Sequence, residues 1–224
     1  MPEQLGLALP SVPALGRADF LVAPSNAVAT AMVEGPAADK LVLTGPSGAG
    51  KTHLAHVWAT RLNATIIDAN SLIENDIPKL ARGPVAIEDV PQIATDPDAQ
   101  TALFHLHNLV LAEGHRLLFT GRGVVRDWGI TLPDLASRIA AAPAAALDLP
   151  DDTLLAAVLA KLFADRQVTP KPDLIPYLIA RMDRSFAAAQ EMVDRLDAAS
   201  LAQKRPVSRP LAGRLLDKEP PRAR

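Results

Sequence analysis

Gly45-Pro46-Ser47-Gly48-Ala49-Gly50-Lys51-Thr52 decides the fold. The octapeptide fits G-x4-G-K-[ST], a pattern that this composition would produce by chance roughly two times in a thousand. It follows a short β run, Leu41-Val42-Leu43-Thr44, and opens a segment readable as a helix to Leu62. A strand, a glycine loop and a helix in that order cradle phosphate. Glycines let the backbone wrap the anion with its N–H groups turned inward, and the helix N-terminus adds partial positive charge. Lys51 is then the cation for the β- and γ-phosphates, and the Thr52 hydroxyl is a magnesium ligand.

Outward from the loop, apolar runs alternate with helical segments. Thr65–Asp68, Val85–Glu88, Arg116–Thr120 and Ala145–Leu149 read as further strands. Helices are expected near Ser71–Ala81 and over about Asp98–Glu113, where Leu103, Leu106, Val110 and Leu111 recur at helical spacing. Alternation of this kind predicts an α/β fold: a five-stranded parallel sheet with helices on both faces. After Pro150 no strand intervenes. Helices are expected over about 151–166, 172–182 and 185–203, a small all-helical lid. The resulting organisation is an arm at 1–16, a nucleotide-binding core at 17–150, the lid at 151–203, and a basic, proline-broken tail at 204–224 expected to be disordered.

Composition narrows function. The 224 residues carry 23 Lys+Arg, 25 Asp+Glu and a net charge of −2, which argues against a general nucleic-acid binder. Charge is uneven, however. Seven Lys/Arg and two Asp/Glu lie between Lys204 and Arg224, so this tail is +5 and the remainder −7. Without cysteine there is no disulfide, no Cys-ligated zinc and no thiol chemistry. No apolar run approaches the ~18 residues needed to span a bilayer, and the N-terminus does not read as a secretory signal. The expectation is a cytoplasmic protein with no membrane association.

Glu88 and Asp89 end the Val85-Ala86-Ile87 strand at the edge of the sheet that also carries the phosphate loop. One carboxylate can hold Mg²⁺, and its neighbour can orient a water. The usual aspartate of this position is replaced by Glu88, so Asp89 becomes a candidate for the water-orienting role. The five histidines include no convincing third ligand to a His53–His56 pair, and packing or surface roles are preferred over metal binding, with His53, next after Thr52, also a candidate nucleotide-binding residue.

KLVLTGPSGAGKTHLAH, VAIEDV, HRLLFTGR and LPDLASRI, followed by three lid helices, resemble the DnaA/Hda family of AAA+ proteins over about residues 17–203. The Leu132–Arg138 segment is the most specific part, and the Thr52-His53-Leu54 continuation is typical of the lineage. The resemblance implies an AAA+ P-loop sheet with the phosphate-loop strand beside the sensor strand, and a bound ADP or ATP with Mg²⁺. It makes Arg138 a finger aimed at a neighbouring subunit's γ-phosphate, although the spacing alone also suits an ion pair with Asp134. It sets Phe20 and Val22 near the adenine, although Phe20 also reads as a core aromatic. Arg122 falls where a polar or acidic sensor is usual. Ala187 falls at the lid's sensor arginine, and Arg184, one turn earlier, is the candidate substitute.

In the arm, Gln4-Leu5-Gly6-Leu7-Ala8-Leu9 is similar to the sliding-clamp-binding peptide of Hda-type proteins. Gln4 would fill a polar pocket, and Leu5, Leu7 and Leu9 an apolar groove. The family therefore implies a negative regulator of replication initiation that binds adenine nucleotide, docks on the DNA polymerase III sliding clamp and promotes ATP hydrolysis by DnaA. Homo-oligomers are compatible with it, and ATPase activity of the chain alone is expected to be weak or nil. About twenty residues follow the lid, too few for a helix-turn-helix, so sequence-specific DNA binding is not expected. A stand-alone ATPase or helicase-loader-like protein is the alternative, and a small-molecule kinase a weaker third.

Overall fold

A computed structural model describes residues 15–36 and 38–217. The clamp-like residues Gln4, Leu5, Leu7 and Leu9 lie outside the described residues. The central sheet has five parallel strands: β1 (Lys40–Thr44), β2 (Thr65–Asp68), β3 (Val85–Glu88), β4 (Leu117–Gly121) and β5 (Ala144–Ala146). Their order is β2-β3-β4-β1-β5. Val42 pairs with Phe119 on one side and Ala144 on the other, so the phosphate-loop strand sits between β4 and β5. The chain reverses direction across the sheet beside β1, and the crevice at the carboxyl ends of such strands is where open α/β sheets bind ligands.

Strand alternation explains the two helical layers. Val42, Ile87 and Phe119 face one side, where they pack with Leu103 and Leu106 of α4 (Pro97–Ala112) and Leu135 of α5 (Pro133–Ala140). Leu41, Leu43, Ala86 and Leu118 face the other, against Val33 of α1 (Ala27–Glu34) and Leu54 and Trp58 of α2 (Lys51–Leu62). Both faces of β1 are therefore dry, which is why its sequence reads as a continuous apolar run.

The expected helix at Ser71–Ala81 is in fact two pieces, a 3-10 turn at Ala69–Glu74 and the four-residue α3 (Ile77–Leu80). Pro78 is the reason. Its ring is tolerated only in a first turn, and Asp76 Oδ1 starts a new helix there by accepting from Lys79 N–H at 3.1 Å.

The lid comprises α6 (Asp152–Asp165), α7 (Leu174–Ile179) and α8 (Phe186–Gln203), and a fourth helix α9 (Arg209–Leu216). This fourth helix corrects the expectation of a disordered 204–224 tail. Val207, Leu211 and Ala212 are buried in the lid core, and Leu215 and Leu216 pack against it. Arg195 donates to Leu215 O at 2.8 Å. Pro210, which read as a breaker, sits in the first turn, where its missing N–H costs nothing. Leu211→Ala should destabilise the lid by about 2–4 kcal/mol. Urea titration followed by circular dichroism measures this, and an unchanged midpoint would return the tail to a dispensable role.

Candidate functional site

The phosphate loop joins β1 to α2, and two of its glycines are demanded by close approach. Gly45 has φ +146°, and a Cβ there would stand 2.3 Å from Leu147 O at the end of β5. Gly48 has φ +78°, and a Cβ there would stand 2.3 Å from the Cβ of Ser185 in the lid. The lid thus rests directly on the loop. Ser185 Oγ caps α8 by accepting from Ala188 N–H at 3.0 Å, and Phe186 N–H donates to Gly48 O at 3.3 Å.

Lys51 folds back over the loop and donates to Gly45 O at 2.9 Å and Pro46 O at 2.8 Å. Burial pushes its ammonium below the ordinary lysine range, with the Asp89 carboxylate opposing that shift. The loop therefore stores a desolvated cation whose present partners are neutral carbonyls. An anion's oxygens are stronger partners for it.

Across the cleft, Asp89 adopts φ +52° directly after β3. The Thr120 hydroxyl of β4 fixes it by accepting from Asp89 N–H at 3.1 Å. Glu88 stands at the end of β3, and its Oε1 is buried without a hydrogen-bond partner. Arg122, just past β4, points Nη2 at Ser47 Oγ, 3.4 Å away. The Thr52 hydroxyl and the carboxylates of Glu88 and Asp89 are the hard oxygen donors that suit magnesium. No group of three or more acidic or histidine side chains among the described residues forms a metal cage. A magnesium ion here would share phosphate oxygens, as it usually does.

Ser47, Gly48, Lys51, Thr52, Asp89 and Arg122 line a cleft of about 660 Å³ between sheet edge and lid, within the range typical of small-molecule sites. Phe20, Leu21, Val158 and Leu162 give it an apolar end. Phe20 is both core and lining: it is buried, and its ring meets His53 edge-on at 5.0 Å. His53 Nε2 lies 3.0 Å from Gly16 O. A carbonyl only accepts, so that nitrogen carries the proton. Burial also pushes His53 below the ordinary histidine value.

The remaining expected residues lie elsewhere. Val22 is exposed, and its neighbours Phe20 and Leu21 take the cleft instead. Arg184 is turned away into an ion pair with Asp152 at 2.7 Å, and Ala187 faces the cleft; the arginine that α8 brings to the cleft is Arg195, further along the helix. Arg138 is exposed on α5 with its guanidinium over the Phe104 ring at 5.1 Å, not paired with Asp134. Its backbone carbonyl accepts from Lys40 Nζ at 2.6 Å.

Sequence reading missed Lys161. It bridges Asp19, ahead of the first strand, at 2.7 Å and Asp165, on its own helix, at 2.8 Å. The four-residue spacing signals the Asp165 pair, but nothing in the sequence signals a partner 142 positions away.

Residues 151–216 match the family model described as the lid domain of Hda. Domain III of the Thermotoga maritima replication initiation protein DnaA superposes with a TM-score of 0.80 at 19% identity, over 93% of this chain and 98% of that one. AMPPCP-bound DnaA from Aquifex aeolicus gives 0.66 at 17% identity, over 82% and 65%. The Thermotoga maritima RuvB Holliday junction branch migration motor gives 0.67 at 17%, over 86% and 66%. Phosphate loop, strand order and helical lid together give the chain an AAA+ fold. The lid is similar to that of Hda over residues 151–216, and the chain as a whole shares the fold of DnaA's domain III.

The Lys161 bridge makes a pH prediction. Its hydrogen bond holds the Asp19 carboxyl below the ordinary range, while hydrogen bonds to Asp165 and Asp19 raise the Lys161 ammonium. The Asp19 contribution is present above the unfolded value of ~3.9 and is lost as pH falls through the lower folded value. The Lys161 contribution is present below ~10.4 and is lost as pH rises through the higher folded one. Lid stability should be flat between these limits. Lys161→Met should lower it by less than about 1 kcal/mol per pair, read as faster hydrogen exchange in α6. Unchanged exchange would show that the bridge holds nothing.

Proposed function

We propose that this protein is a nucleotide-bound regulator of replication initiation, and that it acts on DnaA by offering Arg138 to DnaA's bound ATP. The observation that carries the reading is the position of Arg138 relative to the chain's own phosphate loop. Its carbonyl is tied to Lys40 at the start of β1, and the loop leaves β1 after Thr44, about 13 Å along the strand. An arginine at that end of the sheet stands away from its own cleft, a position that suits service to a neighbour's. There, its planar fork of donors suits charge that develops during phosphoryl transfer.

The chain's own cleft suits holding an adenine nucleotide more than hydrolysing one. Lys51 and the loop N–H groups take the phosphates, Thr52 and Glu88 suit Mg²⁺, and Phe20 and Leu21 flank the apolar end that would receive the base. The divalent ion would neutralise phosphate charge. At the position of the lid's sensor arginine α8 carries Ala187, and Arg122 stands where a polar or acidic sensor is usual. Both features support slow turnover by the isolated chain. A cytoplasmic site of action follows from the proposed partners. In this reading, the segment Gln4–Leu9 engages the sliding clamp and brings Arg138 to DnaA after forks are loaded.

Lys51→Ala should abolish ADP binding measured by calorimetry, and unchanged affinity would remove the phosphate-loop assignment. Arg138→Ala should leave ADP affinity intact and lose at least tenfold in stimulated hydrolysis of DnaA-bound ATP. Retained stimulation would end the finger role. Gln4→Ala should weaken clamp binding by on the order of 1 kcal/mol, the value of one hydrogen bond, and equal affinities by surface plasmon resonance would refute the arm's role.

A further inference from the structure

The fourth lid helix brings together charges that the nucleotide site does not use. Tyr177 of α7 carries two guanidiniums on its ring. Arg181, one turn on, lies 4.1 Å from the ring centroid, and Arg209, from the first turn of α9, lies 4.7 Å away. Both arginines are exposed. Among the described residues, neither forms an ion pair. Stacking occupies only the face of a guanidinium and leaves its edge N–H donors available, and such a fork matches phosphate oxygens. One ring therefore holds two cations in fixed positions, with their donors unspent.

The surroundings reinforce the charge. Between Lys204 and Asp217 there are four basic residues and one acidic residue, in a chain whose net charge is −2. Asp173 and Asp183 flank α7. Tyr177, Arg181 and Arg209 do not line the nucleotide cleft, so this basic face is a separate location from it, although Arg195 of α8 lines the cleft and also donates to Leu215 of α9.

We propose that the α7–α9 face of the lid is a sequence-independent docking surface for the phosphate backbone of duplex DNA. Phosphates rather than bases are the target because the Tyr177 ring is already taken by arginines. Single-strand binding draws instead on free aromatic faces onto which bases stack. Backbone contacts of this kind fix position without reading sequence. The proposal is independent of the roles suggested for Arg138 and the arm.

The test is fluorescence anisotropy of a short fluorescein-labelled duplex of mixed sequence with the full chain in ADP, over a salt series. Two unrelated sequences should bind equally, and binding should weaken steeply with salt. Arg181→Gln combined with Arg209→Gln should lower affinity at least tenfold and reduce the slope of log affinity against log salt by roughly two, with ADP affinity unchanged. Tyr177→Phe should bind like the parent, whereas Tyr177→Leu, which keeps both charges but not their platform, should lose part of the affinity. Salt-insensitive or absent binding, or a double variant equal to the parent, overturns the proposal. So does equal binding of polyglutamate, which would point to an acidic protein instead. Should the double variant fail to fold, hydrogen exchange on the parent decides. Duplex-induced protection in α7 and α9 supports the surface, and protection confined to the nucleotide cleft, or none, overturns it.

Discussion

The contact between Gly48 and Ser185 is the constraint on which the rest of the molecule hangs. A glycine without a side chain lets the first turn of α8 settle on the phosphate loop. Nothing larger fits, since even a methyl group would overlap the Ser185 side chain, and the loop's left-handed backbone there disfavours any Cβ. Because the lid sits so low, the cleft is roofed by Phe186 and Ala187, and the loop carbonyl of Gly48 gains a donor from the lid backbone. Core and lid are thus joined at the place where phosphates would lie. Whatever changes the loop changes the lid's seat.

The strand order places the chemistry around that seat. With β1 between β4 and β5, the loop, the Glu88–Asp89 turn and Arg122 all emerge on one edge. Thr120 ties two of these pieces together through the Asp89 N–H. Arg138 is excluded from the assembly by the same topology, because the helix that carries it returns to the start of β1.

Much of this was legible in the sequence because it rests on local patterns. The phosphate loop is a backbone requirement written in glycines, and the parallel sheet is written in short runs that are apolar throughout. The lid helices follow from a 3.6-residue period. What escaped was set by distant partners or by ambiguous residues. Pro78 and Pro210 have the same local signature, yet one divides an expected helix and the other begins an unexpected one, and only the packing of Leu211 and Ala212 separates the cases. Arg184 was the obvious lid cation, but Asp152 holds it outside the cleft. Lys161 joins the segment ahead of β1 to the lid across a separation that no pattern records.

The aromatic residues divide the molecule optically. Trp58 and Trp128 are both buried in the sheet's two cores, and the lid contains neither. The chain's single tyrosine, Tyr177, belongs to the lid and is flanked by two guanidiniums. Tryptophan emission therefore follows the α/β core alone, and the lid can loosen or melt without altering it. Tyrosine absorbance reads the other half, so one unlabelled sample carries separate spectroscopic reporters for its two moving parts.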